Sequence, residues 1–90
     1  MKVFVKAMHI PSSELVETTI IFRERPDSLY YCWQFCNSFG GTLGGKCLPI
    51  SNKIITGDLF DFAINHAKYS IENFKIERQK VFQVIEVRKI

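Results

Sequence analysis

Five of the chain's twelve aromatic residues fall within ten positions: Tyr30, Tyr31, Trp33, Phe35 and Phe39. A chain of 90 residues has room for one thin core, because a domain of this size buries only a little over ~60% of the surface its unfolded chain exposes. The element that carries this cluster therefore organises the whole molecule. The length also fits one domain, residues 1–90, rather than two.

Placed at 100° steps, residues 27–39 read as a helix. Pro26 and Asp27 open it, with Asp27 or Ser28 as N-cap. Gly40-Gly41 closes it at about Phe39, where a left-handed C-cap costs little. On that helix Leu29, Tyr31, Cys32, Trp33, Phe35, Cys36 and Phe39 cover an arc of roughly 200°, about twice what one sheet face requires. Tyr31, Phe35, Phe39 and the adjacent Tyr30 are thus the expected partner-binding residues, since Tyr and Phe are enriched in interface cores.

The flanking segments carry simpler signals. Residues 2–9 alternate, with Val3, Val5 and Ala7 on one side and Lys2, Phe4 and Lys6 on the other, as a strand does. Residues 14–24 are rich in β-branched residues and share Val16, Thr18, Ile20 and Phe22 on one face. The short link through Ile10-Pro11-Ser12-Ser13 predicts an antiparallel hairpin. Residues 40–57 hold all five glycines and read as loop, with a short strand at 47–50 or 53–56. Thr56-Gly57-Asp58 starts a helix that runs to about Tyr69. Residues 73–78 and 80–89 read as two strands; extension of the helix to about residue 78 is the competing reading. The order β-β-α-(β)-α-β-β predicts an α+β fold, two helices packed on one face of a small antiparallel sheet. A ferredoxin-like arrangement is the near alternative.

Chemistry is sparse. Gly40 to Lys46 fits G-x-x-x-x-G-K, but Cys47 stands where a phosphate-binding loop has Ser or Thr. The motif also follows a predicted helix instead of a strand, so a plain connection is the expectation. Cys32, Cys36 and Cys47 lack the paired knuckle spacing of structural zinc, and no metal or cofactor is expected. Three cysteines and no export signal (Lys6 breaks the first apolar run) read as reduced thiols in a cytoplasmic protein. His9 and His66 are the only imidazoles available for acid–base chemistry, and His66 falls within the apolar arc of the second helix. Asp58 and Asp61 suit the start of that helix electrostatically.

Twelve Lys/Arg against nine Asp/Glu give a net charge of +3, well short of a nucleic-acid footprint. The cations that could form one are Lys46, Lys75, Arg78, Lys80 and Arg88. If the terminal strands are neighbours, Phe4 and Phe82 would lie among them as stacking platforms. The final strand, if it lies at a sheet edge, could also pair with a second copy. The reading is a non-enzymatic protein-interaction or regulatory module, of the kind a virus or mobile element encodes to inhibit a host protein. It would occlude a partner's surface, alone or as a homodimer. A basic RNA- or single-stranded-DNA-binding module is the alternative, and a small His-dependent nuclease or hydrolase the third reading.

Overall fold

The computed structural model describes all residues, Met1–Ile90. Four strands follow one another as a meander: β1 (Lys2–His9), β2 (Glu14–Glu24), β3 (Ser28–Cys36) and β4 (Thr42–Ser51). A single helix, α1 (Leu59–Glu72), comes next, then a two-residue-per-strand hairpin, β5 (Lys75–Ile76) and β6 (Gln79–Lys80), and finally β7 (Phe82–Lys89). The main sheet has the order β4-β3-β2-β1-β7, and every pairing in it is antiparallel. This overturns the two-helix α+β expectation and its ferredoxin-like alternative. The molecule is mostly antiparallel sheet with one helix.

The error lies at residues 27–39, where Ser28–Cys36 form β3 and the rest is turn, with no helix. Leu29, Tyr31, Trp33 and Phe35 are buried, while Cys32, Gln34 and Cys36 are exposed, so the true period is two. Gly40-Gly41 belongs to the β3–β4 turn, where Gly40 takes φ +84°, and not to a helix C-cap. The presumed loop after it is the ten-residue strand β4. Gly44 is needed there, because a Cβ on it would come within 2.7 Å of Phe74 and 2.9 Å of Phe82.

The remaining elements follow their sequence signals. β1 and β2 pair as a hairpin from Lys2↔Ile21 to His9↔Glu14. Asp58 caps α1, its side chain accepting the Asp61 N–H at 3.0 Å. The helix continues to Glu72, one turn past the expected end. Residues 73–78 do not make a full strand. Glu77 and Arg78, at φ 52° and 68°, form the tight turn between β5 and β6, a left-handed pair of the kind that two-residue hairpins use. β7 lies at a sheet edge beside β1, and a bulge skips Ile85 opposite Lys6 and Ala7.

One core lies between sheet and helix. Val3, Val5 and Ala7 of β1, Val16, Ile20 and Phe22 of β2 and the four β3 residues meet Ala63, Ala67 and Ile71 of α1. Trp33 stands edge-on to Phe74 and Phe82, with centroids 5.2 and 5.7 Å away. Its indole N–H donates to Ser70 Oγ at 2.9 Å, so the one polar atom of the largest core side chain is satisfied. Phe82 is 2% exposed and belongs to this cluster, so the idea of Phe82 as a surface stacking platform falls.

Candidate partner-binding surface

The helix covers one face of the sheet. On the other face Phe4, Met8, Leu15, Ile21 and Tyr30 lie among Lys2, Lys6, Glu17, Arg23, Gln34, Glu86 and Arg88, placed there by the alternation of each strand. The antiparallel register sets Met8 opposite Leu15 and Lys6 opposite Glu17. Two rings are capped by cations: the Arg88 guanidinium sits 4.5 Å from the Phe4 centroid and Arg25 4.2 Å from that of Tyr30. The Tyr30 hydroxyl lies 3.3 Å from the Cys32 sulfur. Cys32 faces Cys47 directly across the β3–β4 ladder, and the two are joined as a disulfide, leaving only Cys36 free. The expectation of three reduced thiols is thereby corrected: opposed positions on neighbouring strands bring the sulfurs together, a proximity that spacing along a helix hid.

At one end of the sheet, the β3–β4 turn is held by five hydrogen bonds. Asn37 N–H donates to Gly41 O (2.8 Å) and Gly40 N–H to Asn37 O (3.0 Å). The Asn37 side-chain oxygen accepts from Phe39 N–H (2.9 Å) and Gly41 N–H (2.8 Å). Ser38 N–H donates to the Glu14 carboxylate (2.9 Å), which ties the turn to the start of β2. This fixed turn presents Phe39 at 95% exposure. Strand directions put the β1–β2 turn, with exposed Ile10, and the β5–β6 hairpin, with exposed Ile76, at the same end.

The expected partner-binding residues separate accordingly. Tyr31 and Phe35, placed on an exposed helix edge by the sequence reading, are fully buried and present no surface. Tyr30 stands half-buried on the open face of the sheet, and Phe39 is the most exposed of the four. Of the cations expected to form a nucleic-acid surface, Lys75, Arg78 and Lys80 share the β5–β6 hairpin, where Lys75 and Lys80 are directly opposed. Lys46 lies across the sheet on edge strand β4, and Arg88 is on the other edge strand, β7, where it pairs with Glu86 at 3.0 Å.

The two histidines are engaged separately. His9 Nδ1 lies 2.7 Å from the Ser12 hydroxyl. His66 Nδ1 lies 2.7 Å from the Tyr31 hydroxyl. Burial pushes the Tyr31 hydroxyl up to about 12 and holds the His66 imidazole below its ordinary value, so both groups stay neutral across this contact. His66 also opens on a cavity of about 380 Å³ with Asp58, Asp61 and Asn65 at its rim. No three His, Cys, Asp or Glu side chains converge to hold a metal ion, and no helix is long and apolar enough to cross a membrane. Comparison with protein-family models, curated proteins and solved structures gave no match.

Proposed function

We propose that the chain is a small protein-interaction module that occupies a surface of its partner, as an inhibitor acting by occlusion does, and that Phe39 is its anchor. The observation that carries this reading is a fully presented phenyl ring on a turn already locked by five hydrogen bonds. A large apolar side chain in water contributes nothing to the fold. A rigid backbone beneath it removes the ordering cost that binding otherwise incurs. Those are the attributes of an interface hot spot, a ring that fills an apolar pocket on the facing protein. Ile10, Leu15 and Ile76 at the same end supply the surrounding contact.

The nucleic-acid alternative needs a continuous basic track. Here three cations share one hairpin with Glu77 in its turn, and Lys46 and Arg88 lie on opposite sheet edges. The His-dependent alternative needs two imidazoles about one substrate, and His9 and His66 bond to different neighbours.

The test is capture of the partner from the native cell with wild-type protein and with Phe39→Asp, followed by titration of the purified pair. Phe39→Asp is expected to leave the circular dichroism and thermal midpoint unchanged and to weaken binding by about 2 kcal/mol or more, the threshold of a hot spot. A partner held equally by both proteins overturns the reading.

A further inference from the structure

Strand β7 has a neighbour on one side only, β1. The Ile90 N–H donates to Lys2 O at 3.3 Å, so the backbone of Ile90 faces β1. Successive residues of a strand turn their backbone groups to alternate sides. Arg88 and Glu86 therefore face β1 as well, and Val87 and Lys89 face away from it. The other side of β1 agrees. Phe22 N–H donates to Met1 O, so the odd residues of β1 face β2, and the even ones, Phe4 and Lys6, face Arg88 and Glu86. No strand lies beyond Val87 and Lys89, and no turn or loop hydrogen bond uses their N–H groups. The opposite edge, β4, is blunted. Cys32 and Cys47 stand with Cα atoms 4.0 Å apart, the spacing of a non-hydrogen-bonded pair. Two residues on, Pro49 turns its nitrogen outward and has no hydrogen to give.

Charge decides what the free edge of β7 can take. Glu86, Arg88 and Lys89 discourage an arbitrary strand. A second copy is a different case. Two such edges related by a two-fold axis run antiparallel, and the residue on the axis faces itself. The bulge that skips Ile85 ends the regular edge, which leaves residues 86–89 as centres. An axis at Glu86, Arg88 or Lys89 sets like charges directly opposite, which destabilises. An axis at Val87 does not. It pairs Val87 with its copy through two N–H···O=C bonds, and it sets Glu86 opposite Arg88 of the second copy and Arg88 opposite Glu86 of that copy. Within one chain Glu86 and Arg88 already meet at 3.0 Å, with side chains 48% and 58% exposed. The four groups then form a square in which every side joins opposite charges. Val87, half-buried against the core on the helix side, gains a β-branched neighbour.

We infer that β7 is a self-association edge, at which two copies pair antiparallel about Val87 and join two five-stranded sheets into one. The ladder is short, so the dimer is weak and forms as concentration rises. A two-fold axis normal to the sheet sends the two β3–β4 turns in opposite directions. Each Phe39 stays free, and the dimer presents two anchors. This pairing goes beyond the anchor reading above, which needs one chain only.

Sedimentation equilibrium of the full chain, from micromolar to millimolar concentration, is expected to show monomer and dimer. Glu86→Arg and Arg88→Glu each put like charges across the axis and should weaken dimerisation about tenfold or more. An equimolar mixture of the two variants should restore it, because each supplies the charges that the other lacks. The double reversal Glu86→Arg/Arg88→Glu again matches itself and should dimerise as wild type. Both side chains are exposed, and circular dichroism checks that the fold is kept. Amide exchange followed by NMR locates the contact: the Val87 N–H should exchange slowly in concentrated wild type, and quickly on dilution or in Arg88→Glu. A wild type that stays monomeric at millimolar concentration overturns the inference. So does a dimer indifferent to the charge reversals, or one that leaves the Val87 N–H unprotected. Phe39→Asp should dimerise as wild type; loss of the dimer in that variant would place the contact at the β3–β4 turn and overturn the pairing at β7.

Discussion

Tyr31 and His66 share a contact of 2.7 Å, and their surroundings keep both groups neutral. Burial favours the neutral form of both, raising the phenol to about 12 and lowering the imidazole. In the unfolded chain His66 takes up a proton below about pH 6.5; in the folded chain it resists until lower pH. The unfolded state then binds more protons, so stability rises with pH through that window and falls as the solution is acidified. The thermal midpoint is expected to be level above about pH 7 and to decline below pH 6.5. In His66→Gln that part of the decline should vanish. An acid limb identical in the two proteins would show that His66 is not its source.

Among the elements, β4 is held by what its glycine lacks. Gly44 brings the strand against Phe74 and Phe82 closely enough that any Cβ would collide with both rings. Gly44→Ala is therefore expected to destabilise by about 1–3 kcal/mol, the cost of overpacking a filled core, seen as a lower urea midpoint at unchanged slope. A midpoint equal to wild type would mean that the rings move aside freely. The same strand shows why legibility was uneven. β1, β2, α1 and β7 announce themselves by clean alternation or by the Asp58 cap. In β3 the outward positions are Tyr30, Cys32, Gln34 and Cys36. Three of these count as apolar, so the two-residue period blurred into a wide helical arc, and Gly40-Gly41 fitted a helix end as well as a turn. β-propensity alone, high for Tyr, Trp and Phe, pointed the right way. Phe39 was identified as exposed, though on a helix that does not exist, and Tyr31 and Phe35 went from surface to core with the change of period. The early end of the β2–β3 pairing left no trace in the sequence, because where two strands stop pairing is a tertiary event with no local pattern.

For the molecule as a whole, the Cys32–Cys47 bond is the one covalent clasp, closing a 15-residue separation. A loop of that size constrains the unfolded chain by about 3 kcal/mol, a large share of what a small domain has. The Cys32→Ser/Cys47→Ser variant should unfold at a correspondingly lower urea concentration, and reducing the wild type should bring it to the same midpoint. If reduction has no effect, the clasp contributes nothing to stability. Because the pair lies on the exposed side of β3 and β4, the same comparison also reports whether partner binding depends on a clasped hairpin.

The pairing of β1 with β7 has a consequence for how the chain reaches this state. Val3↔Lys89 and Phe4↔Arg88 join residues nearly the full length of the sequence apart, whereas the meander of β1 to β4 forms from neighbours. Non-local pairing delays folding, because the loop must close before its contacts repay the closure. The four-stranded meander should therefore assemble early, with β1 as a temporary edge and with Phe82 missing from its aromatic cluster. The last strand then docks and seals both at once. During that interval β1 is the place where a second unfinished chain can add, so the chance of misassembly is set by the speed of one late strand.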